Sequence, residues 1–272
     1  MIDVSFLVPT IRPNNLPAFM ESLEKACKKY TFEVVFISPF DKPDTLSQYE
    51  NIKWLKDFGT PSRCSQMGLF ECDGKLLAHT VDDAIFFENA IDECIDLYNE
   101  KCGKKDVVNM RYIEGPNFSG ARVPDDFWRA RFHAPLRLPG VKEEWKISLH
   151  HMLDLEYLIE LGGYDCRFNH MNFNLHDLMF RIQHDGGVVH DSPNFVTNCD
   201  QFVQDTVDHA PIFNSHNQHD LPLFVRLYSD INAVENRVKI DINNWADEPA
   251  VWDRRYNKGI PKDYEELVKN NG

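Results

Sequence analysis

Two adjacent carboxylates, Asp82 and Asp83, follow the apolar run Leu76-Leu77-Ala78-His79-Thr80-Val81 and precede Ala84-Ile85-Phe86, where a buried strand gives way to a loop. Carboxylates so placed suit a hard divalent cation such as Mg²⁺ or Mn²⁺, which takes oxygen ligands and commonly uses one or two carboxylates beside substrate phosphates. The same pair also suits a solvated turn or a helix N-cap. A third acid, Asp177, lies four residues before Arg181 in Leu175-His176-Asp177-Leu178-Met179-Phe180-Arg181. A positioned carboxylate can take the proton of an attacking hydroxyl, and on a helix the same spacing makes an ion pair. Gly162-Gly163-Tyr164-Asp165 follows an expected helix, and its glycines suit a C-cap with positive φ.

Hydrophobic spacing supplies the elements that must position these groups. Val4–Val8 reads as a buried strand closed by Pro9-Thr10, and a stripe from Leu16 to Tyr30 predicts a helix capped by Asn14 or Asn15 ahead of Pro17. Residues 33–38 read as a second strand, so strand, helix and strand form a right-handed βαβ unit. Strands at 52–55, 76–81 and 107–113 alternate with helices at 61–72 and 87–98, which makes residues 1–113 a doubly wound α/β half. Ligands in such sheets sit beyond the carboxyl ends of the strands, where Thr10, Ser38 and Asp82-Asp83 emerge.

Residues 114–144 are rich in Gly, Pro, Arg and aromatics and read as binding loops. A strand at 145–149, helices at 154–161, 175–185 and 221–231, and a mixed tail over 235–272 complete the chain. We read 1–272 as one domain, with 114–234 as an acceptor and catalytic half.

Composition narrows the function classes. The 272 residues are 43% hydrophobic and 26% charged, which excludes a disordered chain. With 29 basic against 43 acidic residues the net charge is −14, unfavourable for nucleic acid or anionic membrane as partners. The seven cysteines form no CxxC pair and read as reduced core thiols. No window is long and apolar enough for a transmembrane helix, and the first residues lack a signal-peptide pattern, which points to a cytoplasmic protein.

Three blocks, VSFLVPT, SRCSQMGLFECDGKLLAHTVDDAIFFENA and LIELGGYDCRF followed by LHDLMFRIQHDGG, occur in the order found in a known family. Together they resemble the nucleotide-sugar-dependent glycosyltransferases of GT-A fold, family-2 type. That resemblance implies a Rossmann-like, mostly parallel central sheet with helices on both faces and an elaborated C-terminal acceptor half. It implies transfer of one sugar from a UDP- or GDP-sugar donor to a glycan or other hydroxyl acceptor, with inversion.

Carried onto this sequence, Pro9 and Thr10 stand beside the nucleobase, Asp82 accepts from the ribose hydroxyls and Asp83 holds Mn²⁺ or Mg²⁺ at the diphosphate. Arg63 is either near the diphosphate or ion-paired. Asp177 is the base, with His176 where the family has Glu, and Trp128, Tyr164, Asp165 and Arg181 lie on the acceptor side. Trp128 and Trp145 suit sugar stacking or core packing equally. Among the late histidines, His190 or His209 would add to the metal shell.

Two departures stand out. Ile37-Ser38-Pro39-Phe40-Asp41 replaces the acid-rich end of the family's second strand, and Val81 replaces the first of three acids. The Gln-x-x-Arg-Trp signature of processive synthases is absent. One rival, a nucleotidyltransferase on a similar sheet, needs a Gly-rich loop after the first strand, and Val8–Pro13 has no glycine. The other is a nucleotide- or carbohydrate-binding protein without turnover.

Overall fold

Alternation of side chains along each strand decides the architecture of this chain, whose computed structural model describes residues 2–57, 59–114, 129–130, 145–199, 216–228 and 237–244. On β1 (Ile2–Pro9), Val4, Phe6 and Val8 join one apolar cluster and Leu7 the other. The same division holds on β2 (Phe32–Ser38), with Val34 and Phe36 against Val35 and Ile37, and on β4 (Gly74–His79), with Leu76 and Ala78 against Leu77. Successive strand residues point to opposite faces, so apolar residues on both faces demand cover on both. Helices α1 (Leu16–Ala26) and α3 (Ala90–Lys101) supply it on one side. On the other lie α2 (Pro61–Leu69), α4 (Leu155–Glu160) and α5 (Met171–His184).

The remaining strands of the main sheet are β3 (Ile52–Lys56), β6 (Val107–Asn109), β10 (His151–Asp154) and β11 (Val189–Asp191). Seven strands run in the order β11-β6-β10-β4-β1-β2-β3. Every neighbouring pair is parallel except those made by β10, which is antiparallel to both β4 and β6. A second sheet joins β5 (Ile85–Phe86), β7 (Tyr112–Glu114) and β12 (Thr197–Cys199), and β8 (Arg129–Ala130) pairs with β9 (Trp145–Lys146). Helix α6 (Leu221–Leu227) packs Leu223 and Phe224 against Phe168, Phe173 and Phe180.

Local chemistry sets the boundaries that matter for the site. Thr60 caps α2 by accepting from the Arg63 amide at 3.2 Å, with Pro61 in the first turn. Gly68 lets α2 lie close on the sheet, since a Cβ there would meet Leu7 Cδ1 at 2.4 Å and Ile37 Cδ1 at 2.5 Å. Asp154 caps α4 through the Tyr157 amide at 2.8 Å, and His170 caps α5 through the Asn172 amide at 3.1 Å.

Several expectations are corrected. Asn15 occupies the N-cap position of α1 but makes no side-chain cap bond, because its backbone is already in the right-handed helical region after a preceding 3-10 turn. The strand expected at 107–113 is two strands in different sheets, and the one expected at 145–149 is confined to Trp145–Lys146. The strand that enters the main sheet is His151–Asp154. No disulfide joins any of the seven cysteines, and six are buried. Among the described residues no helix is long and apolar enough to cross a membrane.

Candidate active site

The carboxyl ends of β1 and β4 bring the first group of residues together. Pro9 ends β1, and the Thr10 amide bonds the Ile37 carbonyl at 2.8 Å, which fixes the loop beyond the strand. Thr10 Oγ1 then donates to Asp82 Oδ2 at 2.8 Å across the β1–β4 junction. Arg12, two residues further on, places one guanidinium nitrogen on Asp82 Oδ1 and another 3.6 Å from Asp83 Oδ2. Asp82 and Asp83 are both buried, and the Ala84 amide bonds the Val81 carbonyl at 3.3 Å to close the turn that carries them. Two buried carboxylates facing one guanidinium leave a formal excess of one negative charge, and their hard oxygen donors fit Mg²⁺ or Mn²⁺.

His150 borders this cluster. Its Nδ1 lies 3.0 Å from Thr80 Oγ1, and its ring packs on Tyr112 with centroids 4.7 Å apart. Burial lowers its pKa to about 4 against the opposing pull of the Asp83 charge, so the ring is neutral at pH 7. Arg12 and His150 were not singled out from sequence. Arg12 had one signal, a cation three residues past the end of a strand whose neighbour ends in two acids.

Arg63 is on α2 and is spent on an ion pair. It forks onto Asp57, with Nε 3.2 Å from Oδ1 and Nη2 3.2 Å from Oδ2, and Asp57 also accepts from the Gly59 amide at 2.7 Å. Both side chains are about nine-tenths buried, at 9% and 10% exposure, so the ion-paired alternative is the one observed. The pair locks the end of β3 to the first turn of α2.

The acceptor-side acids form a second group, built differently from the sequence expectation. Asp177 is 0% exposed. Its Oδ2 accepts from Arg181 Nε at 2.8 Å, and its Oδ1 accepts from Tyr228 Oη at 2.7 Å and Arg237 Nε at 2.7 Å. Arg181, also fully buried, spends its other nitrogens on the Leu161 carbonyl at 3.1 Å and the Gly163 carbonyl at 2.6 Å. Arg181 therefore ties α5 to the end of α4 and is not an acceptor contact. In this conformation Asp177 is an anchor for two arginines rather than a base open to a hydroxyl.

Asp165 is held in the same way by Arg167 Nη2 at 2.6 Å and Arg237 Nη2 at 2.6 Å. Burial works against its charge, but the Arg167 hydrogen bond and the charges of Arg167 and Arg237 prevail and bring its pKa to about 2. Tyr164 points inward: its Oη is 3.2 Å from His151 Nε2, and its ring lies beside His79, itself stacked on His151 with centroids 5.3 Å apart. It is a core residue and lines no acceptor surface.

Arg237 belongs to a strap, residues 237–244, that crosses the Gly162-Gly163 turn. The Ile240 amide bonds the Leu161 carbonyl at 3.0 Å, and Gln66 Nε2 bonds both the Gly162 carbonyl at 2.9 Å and the Ile242 carbonyl at 2.8 Å. The two glycines have φ of +90° and +72°. A Cβ on Gly162 would meet the Ile240 carbonyl oxygen at 2.1 Å, and one on Gly163 would meet Gln66 Oε1 at 2.1 Å. Glycine is needed there for conformation and for close approach alike.

His190 is not part of the donor cluster. It lies on β11, three strands from β4, with Nε2 3.5 Å from Asp106 Oδ2 at the amino-terminal side of β6. Two strands, β6 and β10, lie between it and the strand that leads to Asp82 and Asp83, and its ring is turned to Asp106. His209 and Trp128 lie outside the described residues. Asp57 and Arg237 had no sequence signal, since their roles come from partners brought together by the fold.

No family model and no curated protein sequence matches this chain. The solved structures do. Staphylococcus aureus TarS residues 1–349 superpose with a TM-score of 0.57 at 14% identity, covering 87% of this chain and 70% of that one. The same protein in complex with UDP gives 0.54 at 14% identity, covering 89% and 76%. The mostly parallel seven-stranded sheet with helices on both faces, a GT-A-like fold, is what this chain shares with that protein.

Proposed function

We propose that this protein is a glycosyltransferase that binds a nucleoside diphosphate sugar at the carboxyl ends of β1 and β4. The observation that carries the reading is the buried Thr10–Asp82–Asp83–Arg12 cluster at that edge, in a fold shared with a protein solved with UDP. Such edges are where open α/β sheets bind ligands. Thr10 holds Asp82 in place to accept from the ribose hydroxyls. Asp83 would hold the divalent cation, which supplies positive charge to the leaving diphosphate when bound. Arg12 sets the resting charge of the acid pair and stands close enough to face a diphosphate oxygen.

Inverting transfer needs a carboxylate at the acceptor hydroxyl. Asp177 can take that part only in a state from which Arg237 has withdrawn, because in the one described it is fully buried and accepts from Arg181, Tyr228 and Arg237. The lock on Asp165 and Asp177 favours a second reading, a nucleotide-binding protein without turnover.

Thermal unfolding with UDP, GDP, CMP and their sugars, each with Mn²⁺, Mg²⁺ or EDTA, tests the donor site. Ligands that bind only the folded state raise the melting temperature by mass action. The expected result is stabilisation by one nucleotide that needs the cation and is lost in Asp83→Ala. No shift with any nucleotide overturns the proposal. Binding without release of free nucleotide from the sugar, across a panel of glycan acceptors, favours the second reading.

A further inference from the structure

The β6–β11 border of the sheet carries a second group of ligand-type side chains, set apart from the donor cluster. Cys102 closes α3, Asp106 sits in the turn before β6, and His190 projects from the edge strand β11. One ligand atom from each lies within 4.8 Å of the others, and His190 Nε2 is 3.5 Å from Asp106 Oδ2. His190 Nε2 is buried and makes no hydrogen bond. Asp106 is aimed by two backbone amides, Gly103 on Oδ2 at 2.8 Å and Val188 on Oδ1 at 2.8 Å, the kind of outer support that orients metal-binding carboxylates.

We propose that Cys102, Asp106 and His190 form a zinc site. In a tetrahedral zinc centre the metal lies about 2.0 to 2.3 Å from nitrogen, oxygen and sulfur, so ligand atoms stand about 3.3 to 3.8 Å apart. The His190–Asp106 separation already fits, and Sγ reaches the site by a side-chain adjustment of about an ångström, with water as the fourth ligand. A thiolate, an imidazole and one carboxylate select zinc over Mg²⁺ or Mn²⁺, which prefer oxygen. All three residues are partly exposed, so an ion has a route in. The bound ion would clip the end of α3 to β11, a three-residue strand at the border of the sheet whose one strand neighbour among the described residues is β6. The proposal is independent of the donor site, since these residues sit at the β6–β11 border of the sheet and none of them belongs to the cluster beyond β1 and β4.

The test uses the full chain stripped with chelator and titrated with Co²⁺ as a spectroscopic stand-in, then with Zn²⁺ followed by metal analysis after desalting. One equivalent per chain is expected, with a thiolate-to-cobalt charge-transfer band. Cys102→Ser removes that band, and His190→Ala weakens Zn²⁺ binding at least tenfold. Asp83→Ala leaves both unchanged. The proposal is overturned if the parent chain shows no charge-transfer band and retains no zinc. It is equally overturned if Cys102→Ser and His190→Ala bind as the parent does. Because the band is read on the parent protein, the outcome does not depend on the variants folding.

Discussion

Asp177→Asn separates an anchoring role from a catalytic one. The carboxylate meets Arg181 Nε at 2.8 Å on one oxygen and Tyr228 Oη and Arg237 Nε, both at 2.7 Å, on the other. Whichever way an amide turned, its NH2 would face an arginine N–H, donor against donor. Charge-assisted hydrogen bonds contribute about 1.5–3 kcal/mol each, and removing one partner of a buried ion pair costs about 3–5 kcal/mol. We take about 3–5 kcal/mol as the net loss, since Arg237 keeps Asp165 and Arg181 keeps its two carbonyls. At about 2–4 °C per kcal/mol for a domain near this size, the melting temperature falls by about 6–20 °C. Thermal and urea unfolding, with and without UDP, measure it. A variant that melts within about 2 °C of the parent would refute the anchoring argument. If that variant had also lost transfer, Asp177 would be restored as the base.

Two further outcomes follow from the same geometry. Gly162→Ala is expected to lose more stability in urea than Gly186→Ala: both positions have positive φ, at +90° and +86°, but only the first meets a backbone atom, the Ile240 carbonyl oxygen at 2.1 Å. Left-handed strain costs about 1–2 kcal/mol at either site, and overpacking adds about 1–3 kcal/mol at Gly162 alone, so equal losses would show that the strap does not lie against this turn. Burial depresses the pKa of His79 to about 3 and of His150 to about 4 from a usual 6.5. The unfolded chain therefore binds protons that the folded one does not, and stability is full above pH 6.5 and falls as the pH drops below it. Each ring costs about 1.4 kcal/mol per pH unit in that window, or about 4 kcal/mol for the pair by pH 5. Urea midpoints from pH 7.5 to 5 read this directly, and His79→Phe should flatten the slope.

What the sequence disclosed and what it hid divide along physical lines. The parallel core was legible because Val34 to Ile37 and Leu76 to Ala78 are continuous apolar runs and Val4 to Val8 is broken only by Ser5, the mark of strands buried on both faces. Asp82 and Asp83 were legible because a strand end is visible in one dimension. Strand β10 was hidden by the residues at its start: His150, just before it, and His151, its first residue, look polar, yet both are buried among neighbouring rings. The roles of Asp165 and Asp177 were hidden for another reason. Arg237, their common partner, is 72 and 60 residues away along the chain, and no local periodicity reports such a meeting. Arg63 was half legible, since its partner Asp57 is close in sequence but reachable only through the bend from β3 into α2.

The reversed strand in the main sheet has a consequence for how such a protein can change. Because β10 runs against its neighbours, the chain leaves the sheet at Asn109 and comes back at His151, and these two residues are register partners. The intervening stretch thus has its ends pinned side by side at the carboxyl end of β6, whatever its length. Closing a loop between fixed ends becomes only slowly more costly as it grows, by about 0.6 kcal/mol per doubling. Lineages could therefore lengthen, shorten or exchange that stretch as a cassette while the sheet and the core beneath it stay as they are.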